Sequence, residues 1–520
     1  MRPADFYGHA SAGPAESPAA YRYLRRKLTR LVLARVDDAG AIRDPCGSRT
    51  LESALLLRLL DRCHASPPGR DALVSYLTAQ RLAKEHIDRV LAGCALGLSA
   101  DARCVASEIA IRSPRPIRGR KQLLATCLLA LLDPSRTPPP ATRSPEDPAT
   151  LHSWASLEMV ALHAIAVGAG VMEGPTGDRD WRRLLASQDD DNWDGNLLVH
   201  ILALHALAYR PSCAAVIAAG VTKALRHQRP DGGIPFVPDV DVYCTATAGL
   251  ALICSRGATP AQLAPLGNFV ADQQRSDSLW PYSELSVQTD LDDSSICLQF
   301  LQLLNPKKFV SIIAKGLEAV AHLQGGDGGF PTYVKGAPSE AYITAAAINA
   351  LSLGGPRYWR PMANAMGYLV ASQLPDGTFD ADWSRSRLHP VFRALLAVSR
   401  FPPGHLAAQV RAMQDRAVGA VVDAHNPDGG WGQEPGYASD ATSTAYAVMA
   451  LAALGQRRLV PGALRYLRQA FIAPDAGMSA PPDMVGPRPF PIDVPILPNL
   501  YTLLALGHLQ PPPPPLRSGI

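Results

Sequence analysis

"QGGDGGFPTYVKGAPSEAYITAAAINAL", residues 324–351, is the stretch whose reading decides the fold. It places a Gln, an Asp-Gly-Gly turn and an aromatic residue ahead of an Ala- and Ile-rich helical run. Asp-Gly-Gly supplies the side-chain hydrogen bonding and positive φ that end one helix and begin another. The Gln and the aromatic residue are suited to tie neighbouring units together. The same unit recurs as "QDDDNW" from Gln188, "QRPDGGIPF" from Gln228, "QRSDSLWPY" from Gln274, "QLPDGTF" from Gln373 and "HNPDGGWG" from His425. Successive offsets along the whole series are 40, 46, 50, 49 and 52 residues, room for two helices and their turns. Strand-like alternation is scarce, so an all-α fold of helical hairpins packed side by side is predicted.

The first 150 residues lack clear copies of the turn, although "SRTLESALLLRLLDRC" and "QLLATCLLALL" read as amphipathic helices. "DPSRTPPPATRSPEDPAT" reads as a Pro-rich connector, and "LQPPPPPLRSGI" as a solvated tail beyond a body ending near residue 510.

At 520 residues the chain has room for two domains and a large core. A net charge of +4 with scattered basic residues argues against a nucleic-acid partner. Nine cysteines, odd in number and without a CxxC pair, read as reduced core residues instead of a disulfide frame or zinc knuckle. With no basic-then-apolar leader and no run of 18 apolar residues, the protein is expected to be cytoplasmic and not membrane-spanning.

"SVQTDLDDSSICLQFLQLL", residues 286–304, sets Asp290, Asp292 and Asp293 against an apolar helix. A lone Asp with a pKa of about 4 is ionised at neutral pH and useless as an acid. Carboxylates crowded in a dry cavity cannot all ionise, so one stays protonated. The helix macrodipole opposes this by favouring the anion. The bland alternative is a capping Asp290 followed by two solvated first-turn acids.

Repeats of the form Q-x-x-D-G-x-W resemble the QW repeats of class II terpene and triterpene cyclases, and "DLDD" at 290–293 resembles their DxDD acid motif. Residues 327–351, 376–398 and 428–451 follow in the right order, each similar to a block of bacterial class II diterpene cyclases. The likeness runs clearly over roughly residues 180–505. It departs where a Lys-Trp pair and paired tyrosines are expected: here Trp383 follows Ala381-Asp382, and His389-Pro390 stands near the tyrosine positions.

The resemblance implies two (α/α) barrels, the βγ arrangement, enclosing a cavity. Residues 1–30 would join the acid-bearing β-like barrel of 271–510, residues 31–270 would form the γ-like barrel, and 511–520 the tail. It implies Asp292 as proton donor, with Asp290 and Asp293 tuning it. Aromatic faces must shelter carbocations from water. Trp280, Tyr282, Phe330, Tyr333, Trp383, Phe392 and Trp431 are the candidates; most are turn aromatics for which packing is the alternative, and Trp383, outside the turn position, leads with Trp280 and Tyr333 kept as substrate contacts. Arg385, Arg387 and Arg393 are candidates for a substrate diphosphate at the cavity mouth, or they solvate a helix face. Magnesium is implied with the diphosphate; no organic cofactor and no protein-held metal site are expected.

"DDDNWD" matches a class I magnesium motif at Asp190, Asp191 and Asp194, but it falls on a repeat turn and reads as turn chemistry. For the terminating base, His152, His163, His200 and His205 are open alternatives to their role as helix histidines.

The implied activity is protonation-initiated bicyclisation of geranylgeranyl diphosphate to a copalyl-, labdane- or halimane-type diphosphate, for delivery to a class I synthase or tailoring enzyme. Squalene or farnesyl diphosphate is the alternative substrate. A zinc-dependent prenyltransferase-like toroid around Cys244, or a non-catalytic helical-repeat binding protein, are the other classes.

Overall fold

The computed structural model describes residues 18–510 except 99–100, 113–117, 134–139, 141–150, 192, 382, 402–403, 405 and 474–476. The Pro-rich tail and most of the connector lie outside the described residues.

Six helices, Asp241–Cys254, Leu291–Leu304, Ala341–Leu351, Leu388–Arg400, Ala441–Ala453 and Leu497–His508, pack each against the next, and the last closes on the first. They are apolar nearly all round because they form an inner ring covered on both faces. Their partners Pro260–Asp272, Val310–His322, Trp359–Ser372, Ala407–Asp423 and Val460–Ala470 bury only one stripe and lie outside. Pro18–Leu33 completes the outer layer against Leu497–His508. A second ring is built from Thr50–Arg62, His86–Ala95, Arg118–Leu132, Ser153–Gly168 and Leu197–Leu207.

Two separate apolar cores follow. One holds Leu51 to Ile234, joined by Phe490; the other holds Leu24 to Cys46 and Val237 to Leu506. The division therefore falls between 234 and 237, not at 270, and residues 31–46 stay with the acid-bearing barrel. The physical reason is closure: without Asp241–Cys254 the inner ring has a gap between its first and last members.

The repeat turns share one geometry. Gln324 Nε2 donates to Gly328 O at 2.9 Å and to Pro361 O at 2.8 Å, joining its turn to the next outer helix. Gln274 and Gln373 do the same, and Gln228 donates to Gly232 O of its own turn at 2.8 Å and to the distant Gly69 O at 2.9 Å. Asp327 Oδ1 accepts from Gly329 N at 3.0 Å, and Gly328 has φ +86° with Asn364 O at 2.7 Å from where a Cβ would stand. Two short antiparallel pairs interrupt the all-helical pattern: Phe471–Ala473 with Gly477–Met478, and Met484–Val485 with Pro491–Ile492.

Candidate active site

A cavity opens at the N-terminal ends of the inner-ring helices. All six contribute from their first two turns or N-caps: Tyr243, the Asp290–Asp293 cluster, Tyr342, His389, Tyr446 and Leu497 with Tyr501. Trp154 and Asn196 of the other barrel close the opposite side, so the space lies between the two rings.

Asp290 caps the Leu291–Leu304 helix by accepting from Asp293 N at 2.9 Å. Its own N–H donates to Trp280 O at 3.1 Å, and Leu291 N donates to Thr332 O at 2.9 Å, so the two flanking turns fix the helix start. Burial pushes the Asp290 carboxyl up to about 6, although its bonds from Asp293 pull the other way. Asp293 is raised well above the carboxylate range, by burial first and then by the Asp290 charge and hydrogen bond. Burial and the proximity of the two carboxyl groups raise both, so the Asp290–Asp293 pair holds a proton between them.

Asp292 sits differently. Tyr342 OH donates to its Oδ2, and Arg393 Nη2 lies 3.4 Å from its Oδ1. Arg393 is buried, and its guanidinium also lies over the rings of Phe392 at 5.3 Å and Tyr342 at 5.8 Å. Burial is the largest influence and works against the Arg393 cation, but Asp292 together with Tyr501, Tyr243 and Tyr446 outweighs it and holds the guanidinium protonated.

The last repeat repeats the local frame without the chemistry. Asp440 caps Ala441–Ala453 by accepting from Ser443 N at 2.8 Å, and its N–H donates to Trp431 O at 2.9 Å. Thr442 and Ser443 stand where Asp292 and Asp293 stand, and Asp440 is not among the residues lining the cavity.

Of the other expected contacts, Tyr333 and Trp383 line the cavity, with ring centroids 6.2 Å apart and perpendicular. Tyr282 lines it too. Trp280 does not: it is fully buried with Nε1 donating to Val270 O at 2.6 Å, a packing role shared by Trp431 on Val421 O. Phe330 and Phe392 are core residues. Arg387 is turned away, held by Asp376 at 2.9 Å and Thr378 at 2.6 Å. Arg385 pairs with Glu85 of the other barrel at 3.2 Å, and Arg393 serves the acid cluster instead of the mouth.

Asp190 and Asp191 are exposed, the latter 3.2 Å from Arg226. Asp194 turns inward with φ 52° and accepts from Ser153 Oγ, from Val287 N at 2.7 Å and from Gln288 N at 3.0 Å. The three carboxylates do not converge, and among the described residues no three His, Cys, Asp or Glu side chains are grouped to hold a metal ion. His200 and His205 donate through Nε2 to Gly220 O at 3.0 Å and Leu55 O at 2.9 Å in the other barrel's core. His152 stacks on Tyr333 at 3.9 Å, and burial together with Arg120 and Lys121 pushes it down to about 2, so it stays neutral.

Tyr243, Tyr342, Tyr446, Tyr501 and Asp483 went unnoticed in the sequence. The available signal was a tyrosine recurring in the first two turns of inner helices.

The toroid half matches a known family: residues 294–474 fit the prenyltransferase alpha-alpha toroid domain. The whole chain is similar to a drimenyl diphosphate synthase of Streptantibioticus cattleyicolor, 35% identical over 93% of this chain and 94% of the relative. A second drimenyl diphosphate synthase, from Streptomyces showdoensis, is 34% identical over 94% and 95%. Among solved structures, ent-copalyl diphosphate synthase from Streptomyces platensis superposes with a TM-score of 0.62 at 17% identity, covering 94% of this chain and 99% of that one. No described helix is long and apolar enough to cross a membrane.

Proposed function

The chain belongs to the class II terpene cyclases, and from that premise we propose that it protonates farnesyl diphosphate, closes two rings and retains the diphosphate. The observation that carries the chemistry is the Asp290–Asp293 pair beside Asp292 at the wall of an aromatic cavity. Farnesyl diphosphate ranks ahead of geranylgeranyl diphosphate because both full-length relatives are named for drimenyl, a bicyclic sesquiterpene skeleton. The likeness to a copalyl diphosphate synthase carries the fold alone.

In this reading Asp292, the most exposed of the three, delivers the proton to the terminal alkene, and Asp293 is the store that recharges it. Tyr342 and Arg393 then stabilise the Asp292 anion. The rings of Tyr243, Tyr342, Tyr446, Tyr501 and Trp383 give the cation π-faces in place of water.

Arg120 is buried with its Nε unpartnered, next to Lys121, which lies 3.8 Å from Glu158. Both act on His152, which backs the cavity wall at Tyr333. Neither lines the cavity itself; they stand behind His152, where their charge favours an anionic head group at that end. Magnesium would bind with the substrate, as a counter-ion to its phosphate oxygens.

The test is incubation of purified protein and magnesium with farnesyl diphosphate, geranylgeranyl diphosphate or squalene. A bicyclic diphosphate from farnesyl diphosphate is expected, with Asp292→Asn lowering turnover by about 10²–10⁴. A cyclised product from squalene alone, or unchanged turnover in Asp292→Asn, overturns the reading.

A further inference from the structure

The cavity holds a second buried carboxylate, away from the acid cluster. Asp483 precedes the Met484–Val485 strand, is only 8% exposed and lines the cavity beside Ser384 and Met484. Ser384 Oγ donates to it at 2.9 and 2.8 Å, Ser386 N at 2.9 Å and Tyr446 OH at 2.8 Å. A carboxylate has about four lone-pair directions. Three donors occupy most of them and leave capacity toward the cavity, and no ion pair among the described residues reaches Asp483.

Its position is set by a row of rings. Tyr342 bonds Asp292; the Tyr342 and His389 centroids are 5.0 Å apart; those of His389 and Tyr446 are 4.8 Å apart; and Tyr446 bonds Asp483. The two carboxylates thus stand at opposite ends of a three-ring wall. A substrate folded along that wall with its terminal alkene at Asp292 brings its last-formed cation toward Asp483.

Resting on the cyclase reading above, we propose that Asp483 is the base that ends the reaction. The C–H bond next to the final cationic carbon breaks, its electron pair becomes the new alkene, and the proton goes to Asp483 Oδ. The resulting acid returns that proton to water, and water recharges the Asp292–Asp293 store, so the reaction is a net isomerisation. The fixed donors keep the carboxylate oriented without reorganisation, and its negative charge in a water-poor space draws the cation to that end.

The experiment uses the full-length protein, farnesyl diphosphate and magnesium, and reads product composition per turnover by gas chromatography after dephosphorylation. Asp483→Asn preserves acceptor geometry for Ser386 N but removes the base. The olefin's share is expected to fall at least about tenfold, replaced by a water-quenched bicyclic alcohol or a displaced alkene isomer. Tyr446→Phe, which loosens Asp483 without removing it, is expected to shift the share in the same direction by less. Because a ratio is read, partial loss of folded protein does not imitate the effect. An unchanged product ratio in Asp483→Asn overturns the inference, as does a folded, inactive Asp483→Asn with Tyr446→Phe unaltered. If the wild-type protein yields no cyclised product, the cyclase reading fails instead.

Discussion

The carboxylates Asp290, Asp292 and Asp293 share a site where Arg393, Tyr342 and a helix N-terminus favour the anion while burial and mutual repulsion favour the acid. The raised groups must carry a proton to act, so activity is present at low pH and is lost as pH rises through their raised pKa values, with unit slope on the alkaline side. Asp290→Asn keeps the helix cap but removes the charge that raises Asp293, so the alkaline limb is expected to move to lower pH. Arg393→Met removes a cation that lowers Asp293, so any residual activity is expected to shift its limb to higher pH. It also breaks a buried pair, at a cost of about 3–5 kcal/mol visible in a denaturant melt. Opposite shifts in the two pH–rate profiles are the check; shifts in the same direction contradict this electrostatic account.

Among the elements, the repeat turn carries the organisation. One Gln amide binds its own turn and the next outer helix at Gln274, Gln324 and Gln373, and the turn glycine rests on a backbone carbonyl. Gln324→Ala removes a donor from two part-buried carbonyls and is expected to cost about 1 kcal/mol. Gly328→Ala meets both an unfavourable φ and Asn364 O, and is expected to cost more than about 1 kcal/mol. Urea midpoints read both. The pattern of Gln, Asp, Gly and aromatic residue was legible from Gln228 onward because each member makes a local, repeated bond. "QDDDNW" was less so: Gln188 donates to Ser187 Oγ, and its turn follows another geometry.

For the whole molecule, the cavity exists only because two rings face each other, and Asp194 is one of the ties. It accepts from the Val287 and Gln288 amides of the acid-bearing barrel, while Tyr282 OH donates to its carbonyl. Asp194→Ala is expected to lower stability by roughly 1.5–3 kcal/mol per lost charged hydrogen bond and to reduce turnover. Asp190→Asn and Asp191→Asn are expected to leave both unchanged, since those side chains are exposed. Equal loss in all three variants, restored by added magnesium, would identify a metal site instead.

The sequence by itself determined the helical hairpins and the acid cluster, since both are written in short-range spacing: a turn and its helix, three carboxylates within four residues. Arginine roles and aromatic exposure were not written there. Trp280 and Tyr282 are two residues apart, yet one is sealed against Val270 and the other faces the cavity. Arg387 and Arg393 share a helix neighbourhood but end on Asp376 and Asp292. Those outcomes, the ring closure by Asp241–Cys254 and the placing of Asp483 opposite Asp292 depend on contacts between residues far apart in sequence. Only the packed tertiary structure decides which side of a ring, and which of two barrels, a side chain meets.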